Sequence, residues 1–278
     1  MICSIDLHVH SSASDGSLTP TEVVRLALRQ GMEVIALTDH DTTAGIGEAQ
    51  QAAAGSPLEV IPGLEINTEG PDGDVHVLGY YINPGYEPLQ ERLRTLREAR
   101  LVRARKMIER LAELGMPLKW ERVLEIAGQD SAVGRPHIAR ALVEAGYVAT
   151  AREAFDRYIG NDGPAYVPRL RMRPEEAIVV IHQAGGVAVL AHPDHHPILE
   201  RLPDLVEAGL DGLEVYYPEH TPEDVARLGA LATRYGLLMT GGSDFHGPGL
   251  GKNAPMGSVP LPAGVVSRLT ARWQAQRA

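Results

Sequence analysis

The first strand-like segment of the chain carries two histidines, in Asp6-Leu7-His8-Val9-His10. Side chains alternate across an extended strand, so His8 and His10 point the same way and can bind one metal ion. Asp15 follows in Ser14-Asp15-Gly16, and its carboxylate can join them from the next loop. Two imidazoles and a carboxylate at this spacing predict a metal site.

Further histidines and acidic residues follow other apolar, strand-like segments. An isolated histidine is more often a hydrogen-bonded core or loop residue, but recurrence after successive strands indicates one shared site. Imidazole suits Zn, Mn and Fe, and carboxylates can bridge two ions. The pattern therefore predicts a polynuclear centre that hydrolyses its substrate, with three ions sharing nine ligands and Glu65 as a bridge. The candidate metal ligands are His8, His10, Asp15, His40, Glu65, His76, His192, Asp244 and His246.

Composition narrows the class of protein. The chain has 278 residues, of which 44% are hydrophobic, enough for one large α/β domain or a domain with an insertion. Its formal charge of -10 argues against a general basic surface for nucleic acid, so an anionic substrate needs local cations such as metal ions.

The single cysteine excludes an internal disulfide. Neither a signal peptide nor a membrane span is predicted, so we expect a cytoplasmic protein without a membrane partner.

Strand-like and helical segments alternate over the first 80 residues and again after Pro164. Thr19-Pro20-Thr21-Glu22 has the pattern of a capping box, and Gly31 fits the end of that helix. Seven candidate strands, most followed by a helix, favour a parallel, barrel-like α/β fold. Chemistry in such barrels lies at the carboxyl ends of the strands. The candidate ligands lie at or just beyond the ends of strands one to five and seven, which predicts one site at that edge.

In the middle of the chain the sequence patterns predict only helices, so we interpret this stretch as a helical insertion. Its first helix, from Pro84 to about Leu114, is rich in arginine, which raises RNA binding as an alternative. Apolar residues recur there at helical spacing, and Arg105 can pair with Glu109. A solvated amphipathic helix is therefore the preferred interpretation.

These motifs resemble the polymerase-and-histidinol-phosphatase (PHP) family of metal-dependent phosphoesterases. The likeness covers about residues 1–82 and 166–278, and every ligand position expected of the family is filled. It rests on the segments Asp6–His10, Ser14–Gly16, Thr38–Asp41, Gly63–Glu65, His76, Ala191–Pro193 and Ser243–His246.

The resemblance implies a fold, a cofactor and a reaction. The implied fold is a distorted seven-stranded (β/α) barrel formed by residues 1–98 and 166–278, with a small helical domain at 99–165 that covers the substrate. The implied cofactor is two or three Mn²⁺ ions, or Fe or Zn, and the implied reaction is hydrolysis of phosphate esters by a metal-bound hydroxide. Gly134–Ala139 and Pro164–Pro168 are similar to a bacterial branch of nucleoside 3',5'-bisphosphate phosphatases and enzymes that trim RNA from its 5' end.

Four residues outside the ligand set are candidates for contact with substrate. Arg135 begins a helix, where a guanidinium and backbone amides favour a phosphate, and its alternative is an ordinary surface arginine. His137 can donate a proton to the departing oxygen or cap its own helix. His196 follows the candidate ligand His192, and Lys252 lies in a glycine-rich loop. Exposure to solvent is the alternative for both.

The sequence thus predicts a phosphatase that removes the 3'-phosphate of nucleoside 3',5'-bisphosphates and leaves a nucleoside 5'-monophosphate such as AMP. Direct hydrolysis is preferred over a covalent phosphoenzyme, because no Ser or Cys has a neighbouring base. The alternatives are a 5'-to-3' exonuclease on short RNA, a phosphatase of the histidinol-phosphate type, and an inactive metal-stabilised binding module. The expected partner is a small nucleotide or short RNA, with no stable nucleic-acid complex.

Overall fold

A seven-stranded sheet forms the centre of the fold, and its strands lie side by side in chain order. The computed structural model describes residues 4–70, 73–127, 133–161, 163–168, 172–193, 197–248 and 254–277. The strands are β1 (Ile5–Val9), β2 (Val34–Leu37), β3 (Glu59–Gly70), β4 (Gly73–Tyr80), β5 (Val187–Leu190), β6 (Gly212–Tyr216) and β7 (Leu238–Gly241).

One strand runs against the others, which corrects the expectation of a purely parallel sheet. Strands β1 to β3 pair in parallel, as do β5 to β7, but β4 is antiparallel to both β3 and β5. The reason is the connection between β3 and β4, whose terminal residues Gly70 and Gly73 pair with each other. A parallel crossover needs a dozen or more residues, so this short connection permits only a hairpin.

The first and last strands meet, so the sheet curls into the distorted seven-stranded barrel that was predicted. Val9 forms a parallel bridge with Phe245, and the His10 N–H donates to the Phe245 carbonyl at 2.8 Å. At Gly242 the backbones approach so closely that a Cβ atom would lie 2.4 Å from the His8 nitrogen. This position therefore requires glycine.

Helices follow most strands, and their ends carry the predicted signals. The side chain of Thr19 accepts from the Glu22 N–H while Glu22 accepts from the Thr19 N–H, which confirms the capping box. The helices are α1 (Pro20–Arg29), α2 (Ile46–Ala53), α3 (Glu87–Glu113), α4 (Trp120–Ala127), α5 (Arg135–Glu144), α6 (Ala151–Ala154), α7 (Pro174–Gln183), α8 (Leu202–Glu207), α9 (Pro222–Tyr235) and α10 (Val265–Ala275). In the described part of the chain, no helix has both the length and the apolar character needed to cross a membrane.

The apolar core of the barrel follows from alternation along its strands. Leu7 and Val9 of β1 are buried in two apolar clusters that also include residues of the surrounding helices. The residues that alternate with them, Asp6 and His8, are buried on the other face of the strand. Because successive side chains point to opposite faces, one strand serves both the core and a polar interior.

The chain divides into two compact units, Met1–Glu91 with Arg171–Ala278, and Arg92–Leu170. In its described residues the second unit is helical and has an apolar cluster of its own, which includes Leu111, Val123 and Leu142. The expected role of this insertion as a cover for the substrate stays a prediction.

Candidate metal centre

A buried carboxylate, Glu65, lies at the centre of a ring of histidines. Its side chain is 1% exposed, and each of its oxygens faces imidazole nitrogens. Oε2 is 3.1–3.3 Å from three of them, and Oε1 is 2.8 and 3.2 Å from two more. The first three nitrogens belong to His8, His10 and His40, and the other two to His76 and His192.

Two aspartates complete the cluster on either side of His10. Oδ1 of Asp244 is 3.1 Å from His10 Nε2 and 3.4 Å from His8 Nε2. Oδ1 of Asp15 is 3.3 Å from His246 Nε2. The structure therefore brings together all nine residues that the sequence singled out as candidate ligands, from stretches more than 200 residues apart.

The strands deliver these residues to one edge of the barrel, although not all of them from strand ends. His10, His40 and His192 each follow a strand, whereas Glu65 lies inside β3 and His76 inside β4. The expectation that the ligands lie at or just beyond the carboxyl ends of their strands was therefore wrong for Glu65 and His76, whereas His8 lies one residue before the end of β1. His76 still reaches the cluster because β4 is antiparallel, so its amino-terminal half lies beside the carboxyl ends of its neighbours.

The backbone is strained at three positions in or beside the cluster. Asp41, His192 and Asp244 have φ values of 51°, 29° and 52°, in the left-handed region that residues other than glycine seldom adopt. Such strain costs about 1–3 kcal/mol at each residue and persists only where surrounding contacts enforce it. Two of these residues are candidate ligands and the third adjoins His40, so the strain marks a functional site.

Two buried aspartates hold the loops that carry Asp15 and Asp244. Asp39 accepts from the N–H and hydroxyl of Ser11 and from the hydroxyl of Ser14, each at 2.7 Å. Asp6 accepts from the N–H of Ser243 at 2.9 Å and from its hydroxyl at 2.5 Å. These hydrogen bonds hold both loops at the cluster.

Asp41 directly follows His40, where an acid can either orient that histidine or cap the next helix. It accepts from the Asn67 N–H at 2.9 Å and from the Asn67 amide at 3.0 Å. The same amide nitrogen is 3.1 Å from Nδ1 of His40. The N-cap position of α2 is Gly45, which has no side chain to cap it. The contacts favour orientation of His40, with Asn67 as the link.

The cluster attracts positive charge. Although burial raises it, the imidazoles of His40, His76 and His8 hold the pKa of Glu65 well below its usual range. Burial lowers the pKa of His10, but the carboxylates of Asp244 and Glu65 outweigh it and raise the value to about 10. His40 differs, because burial dominates and lowers its pKa to about 4. In the absence of metal ions, the carboxylates of the cluster are therefore ionised and His10 is protonated, so that a proton provides part of the positive charge that balances them.

The donor set fits divalent metal ions. Among the described residues, three overlapping groups have ligand atoms within 4.8 Å of one another. Both ring nitrogens of His10 and Nδ1 of His76 are buried and lie near carboxylate oxygens, but none of the three forms a hydrogen bond with normal geometry. Buried polar atoms normally have partners, so these point to ions as the missing ones. The groups are His10, Asp15, His40 and His246; His8, His10, Glu65 and Asp244; and His40, Glu65 and His76.

The candidate substrate residues are placed as follows. Arg135 is the first residue of α5, and its guanidinium donates to Asn161 Oδ1 at 2.9 Å. Nδ1 of His137 accepts the N–H of Gly134 at 3.0 Å, which is the capping contact named as its alternative role. His196 and Lys252 lie outside the described residues. Contact of these four residues with substrate stays a prediction.

Two further residues of the site were missed by sequence reasoning. Glu214 of β6 is fully buried and lies 2.9 Å from Nδ1 of His8, and Tyr217 donates its hydroxyl to Asp244 Oδ2 at 2.9 Å. The available signal was a carboxylate inside the apolar run of a strand that supplies no ligand. The alternation of Leu213 and Val215 indicates a strand but not the role of the acid between them.

Comparison with known proteins is consistent with this geometry. The sequence profile of the PHP domain matches residues 6–116. The chain is 38% identical to a 3',5'-nucleoside bisphosphate phosphatase of Chromobacterium violaceum, over 90% of each protein. It is also 38% identical to the 5'-3' exoribonuclease Rnm of Salmonella typhimurium, over 87% of this chain and 85% of that one.

A solved structure is similar over nearly the whole chain. A candidate metal-dependent phosphoesterase from Bifidobacterium adolescentis superposes with a TM-score of 0.84 and 36% sequence identity, covering 96% of each chain. The shared fold therefore extends beyond the region matched by the domain profile.

Proposed function

Since the chain belongs to the PHP family of metal-dependent phosphoesterases and is a hydrolase of phosphate esters, we propose that it removes the 3'-phosphate of nucleoside 3',5'-bisphosphates. The products are a nucleoside 5'-monophosphate and phosphate. A relative from Chromobacterium violaceum that is named for this activity is 38% identical over 90% of this chain, which supports this choice of substrate.

The observation that carries the proposal is the convergence of nine nitrogen- and oxygen-bearing side chains around Glu65. In this proposal they hold two or three Mn²⁺ ions, a metal that suits mixed imidazole and carboxylate ligands, as do Fe and Zn. When bound, such ions act as Lewis acids that lower the pKa of water and stabilise charge on phosphoryl oxygens.

The chain's own residues determine where substrate can approach. The side chains of His8 and His10 are fully buried, whereas His40, His76 and His192 are 15%, 20% and 21% exposed. The cluster is therefore closed on the β1 side and open to solvent on the other. A phosphate group enters from the open side, where these histidines and the half-exposed Asp15 lie.

A second candidate is 5'-to-3' cleavage of short RNA. The exoribonuclease Rnm is as similar in identity as the bisphosphate phosphatase, which is the observation that favours it. The two functions differ in the group released, since a phosphatase yields inorganic phosphate and an exonuclease yields nucleotides.

Activity assays on metal-free protein reloaded with Mn²⁺ test the proposal. We expect release of phosphate from adenosine 3',5'-bisphosphate to exceed nucleotide release from a short 5'-phosphorylated RNA. Histidinol phosphate serves as a third substrate. Preferential release of nucleotides would favour the exonuclease, and no turnover of any of the three with Mn²⁺ bound would overturn the proposal.

We propose that Arg135 binds a phosphate of the substrate, because its planar guanidinium suits bidentate contact. We expect Arg135→Lys to raise KM about tenfold while metal content stays unchanged, a loss of about 1.4 kcal/mol of binding. Arg140→Lys, on the same helix, is the matched control. An unchanged KM in Arg135→Lys would remove Arg135 from the substrate site.

A further inference from the structure

Strand β6 is the one strand of the sheet from which no candidate ligand comes, yet residues in it or directly after it contact three of them. Glu214 lies within this strand and Tyr217 directly follows it. We propose that Glu214 and Tyr217 are positioning residues, which fix His8, His192 and Asp244 in the orientation that binds metal ions. The inference takes from the proposed function only that the cluster holds ions, and it is independent of the phosphate ester hydrolysed.

The contact between Glu214 and His8 sets the direction of the imidazole. Oε1 of Glu214 is 2.9 Å from Nδ1 of His8, while Nε2 of His8 is 3.2 Å from Glu65 and 3.4 Å from Asp244. A proton on Nδ1, donated to Glu214, leaves the lone pair on Nε2 facing the cluster. Carboxylates that accept from the far nitrogen of a ligand histidine fix its tautomer and raise its basicity.

The second oxygen of Glu214 holds the backbone of another candidate ligand. Oε2 accepts the N–H of His192 at 2.9 Å. His192 has a φ of 29°, a strained conformation for a residue with a side chain. One carboxylate thus fixes the ring of His8 and the backbone of His192, two residues separated by most of the chain.

Tyr217 acts on the third ligand. Its hydroxyl donates to Oδ2 of Asp244 at 2.9 Å, and the other oxygen, Oδ1, faces His10 and His8 at 3.1 and 3.4 Å. The tyrosine therefore occupies one carboxylate oxygen and turns the other towards the cluster. Asp244 also has positive φ, at 52°, a strained conformation that surrounding contacts must enforce.

Burial strengthens the case for a role in metal binding. Glu214 is 0% exposed, and a buried carboxylate is strongly unfavourable unless its environment compensates the charge. An apolar residue would fill the same place in the barrel at lower cost. Two hydrogen bonds, both to candidate ligands, account for the acid at this position.

Titration of metal-free protein with Co²⁺, followed by its visible absorption, tests the inference without substrate. For Glu214→Gln we expect the dissociation constant to rise 10- to 100-fold, because the amide cannot accept from both partners. For Tyr217→Phe we expect a rise of about tenfold, at the lower end of that range. Both variants should also shift the cobalt absorption bands, which a loss of packing alone would not do.

Matched controls lie beside both positions. Glu219→Gln removes an exposed carboxylate and Tyr216→Phe removes a hydroxyl from a half-buried tyrosine, and both should bind Co²⁺ like the wild type. Circular dichroism of the metal-free proteins checks that each is folded. If Glu214→Gln does not fold, Tyr217→Phe decides the matter.

The outcomes separate this inference from the proposed function. Wild-type affinity and an unchanged cobalt spectrum in the folded variants would overturn the positioning role alone. Failure of the wild type to bind Co²⁺ would overturn the metal centre, and the positioning role with it. Weaker binding with shifted bands in the variants, and with unchanged controls, would establish the role.

Discussion

Glu65 shows how a buried acid is tolerated at this site. Five imidazoles lie within 3.3 Å of its two oxygens, so the carboxylate remains ionised although its side chain is buried. Isolated buried charges are strongly unfavourable, and they occur where partners or metal ions compensate them. The charge on Glu65 is therefore tolerated only because the surrounding imidazoles, or ions bound among them, compensate it.

Replacement of Asp244 by asparagine should abolish turnover while leaving the fold intact. The amide has nearly the same shape but lacks the negative charge that draws cations to His8 and His10. We expect the phosphatase rate to fall about 100-fold or more, with an unchanged circular dichroism spectrum. Asp204→Asn, which alters an exposed carboxylate of α8, should keep full activity. Full activity in Asp244→Asn would remove Asp244 from the site.

At the scale of single residues, the sequence predicted the candidate metal ligands but not the residues that orient them. His8 and His10 were predictable because their spacing on one strand implies a shared target. Glu214 was not, because its role depends on a contact with a residue 206 positions away along the chain. A local pattern contains no information about such a pair, and only the closed barrel brings it together.

Among the elements, the direction of β4 was the feature that sequence patterns could not give. Apolar alternation identifies a strand but is the same whichever way the strand runs. The informative quantity was the length of the connection between Gly70 and Gly73, which is too short for a crossover. The helix boundaries were more accessible, since caps such as Thr19 and Glu22 are local signals.

The junction of β7 with β1 depends on glycine at position 242. A Cβ atom there would lie 2.4 Å from the nitrogen and 2.5 Å from the Cβ of His8. We expect Gly242→Ala to reduce the free energy of unfolding by about 1–3 kcal/mol and to weaken metal binding, since His8 must move. Chemical denaturation and the cobalt titration measure the two effects.

Gly229→Ala is the matched control, because a Cβ atom on this helical glycine of α9 would lie at an ordinary contact distance, 3.9 Å from the sulfur of Met239. There the substitution should increase stability by about 0.5–1 kcal/mol, as alanine is the better helix former. Equal effects of the two substitutions would contradict the close approach at the β7–β1 junction.

Asp211 makes the stability of the barrel depend on pH. It is 3% exposed and bonds to the Ala188 N–H at 2.9 Å, to His182 at 2.8 Å and to Arg272 at 3.0 Å. Although burial raises it, the bonds to His182 and Ala188 lower the pKa of Asp211 below its ordinary value. A carboxyl whose pKa is lowered by folding stabilises the protein above its unfolded pKa, and this contribution is lost as pH falls through the folded value.

Asp211→Asn should accordingly destabilise the protein by about 1–3 kcal/mol at pH 7, and the difference from wild type should shrink below about pH 4. Urea denaturation at several pH values measures it. Asp204→Asn should show little difference at any pH, because exposed ion pairs contribute about 0–1 kcal/mol. A difference for Asp211→Asn that does not change with pH would contradict the ionised state of Asp211.

For the molecule as a whole, metal ions should contribute measurably to stability. Ligands that bind only the folded state stabilise it by mass action, by about 2.7 kcal/mol at a concentration 100 times the Kd. We expect Mn²⁺ to raise the Tm of metal-free protein by about 5–10 °C, and EDTA to reverse the effect. Asp244→Asn should respond less. Equal Tm values with and without Mn²⁺ would contradict a metal centre in the folded protein.

Closure of the barrel between Val9 and Phe245 has a consequence for the order of folding. Glu65 and His76 belong to one hairpin and meet early, because few residues separate them. His8 and Asp244 are separated by nearly the whole polypeptide, and their encounter carries the entropy of closing that long loop. The cluster is complete only when the first and last strands of the sheet have paired. During refolding, the point at which the protein retains a metal ion in the presence of a chelator therefore marks the final step of assembly.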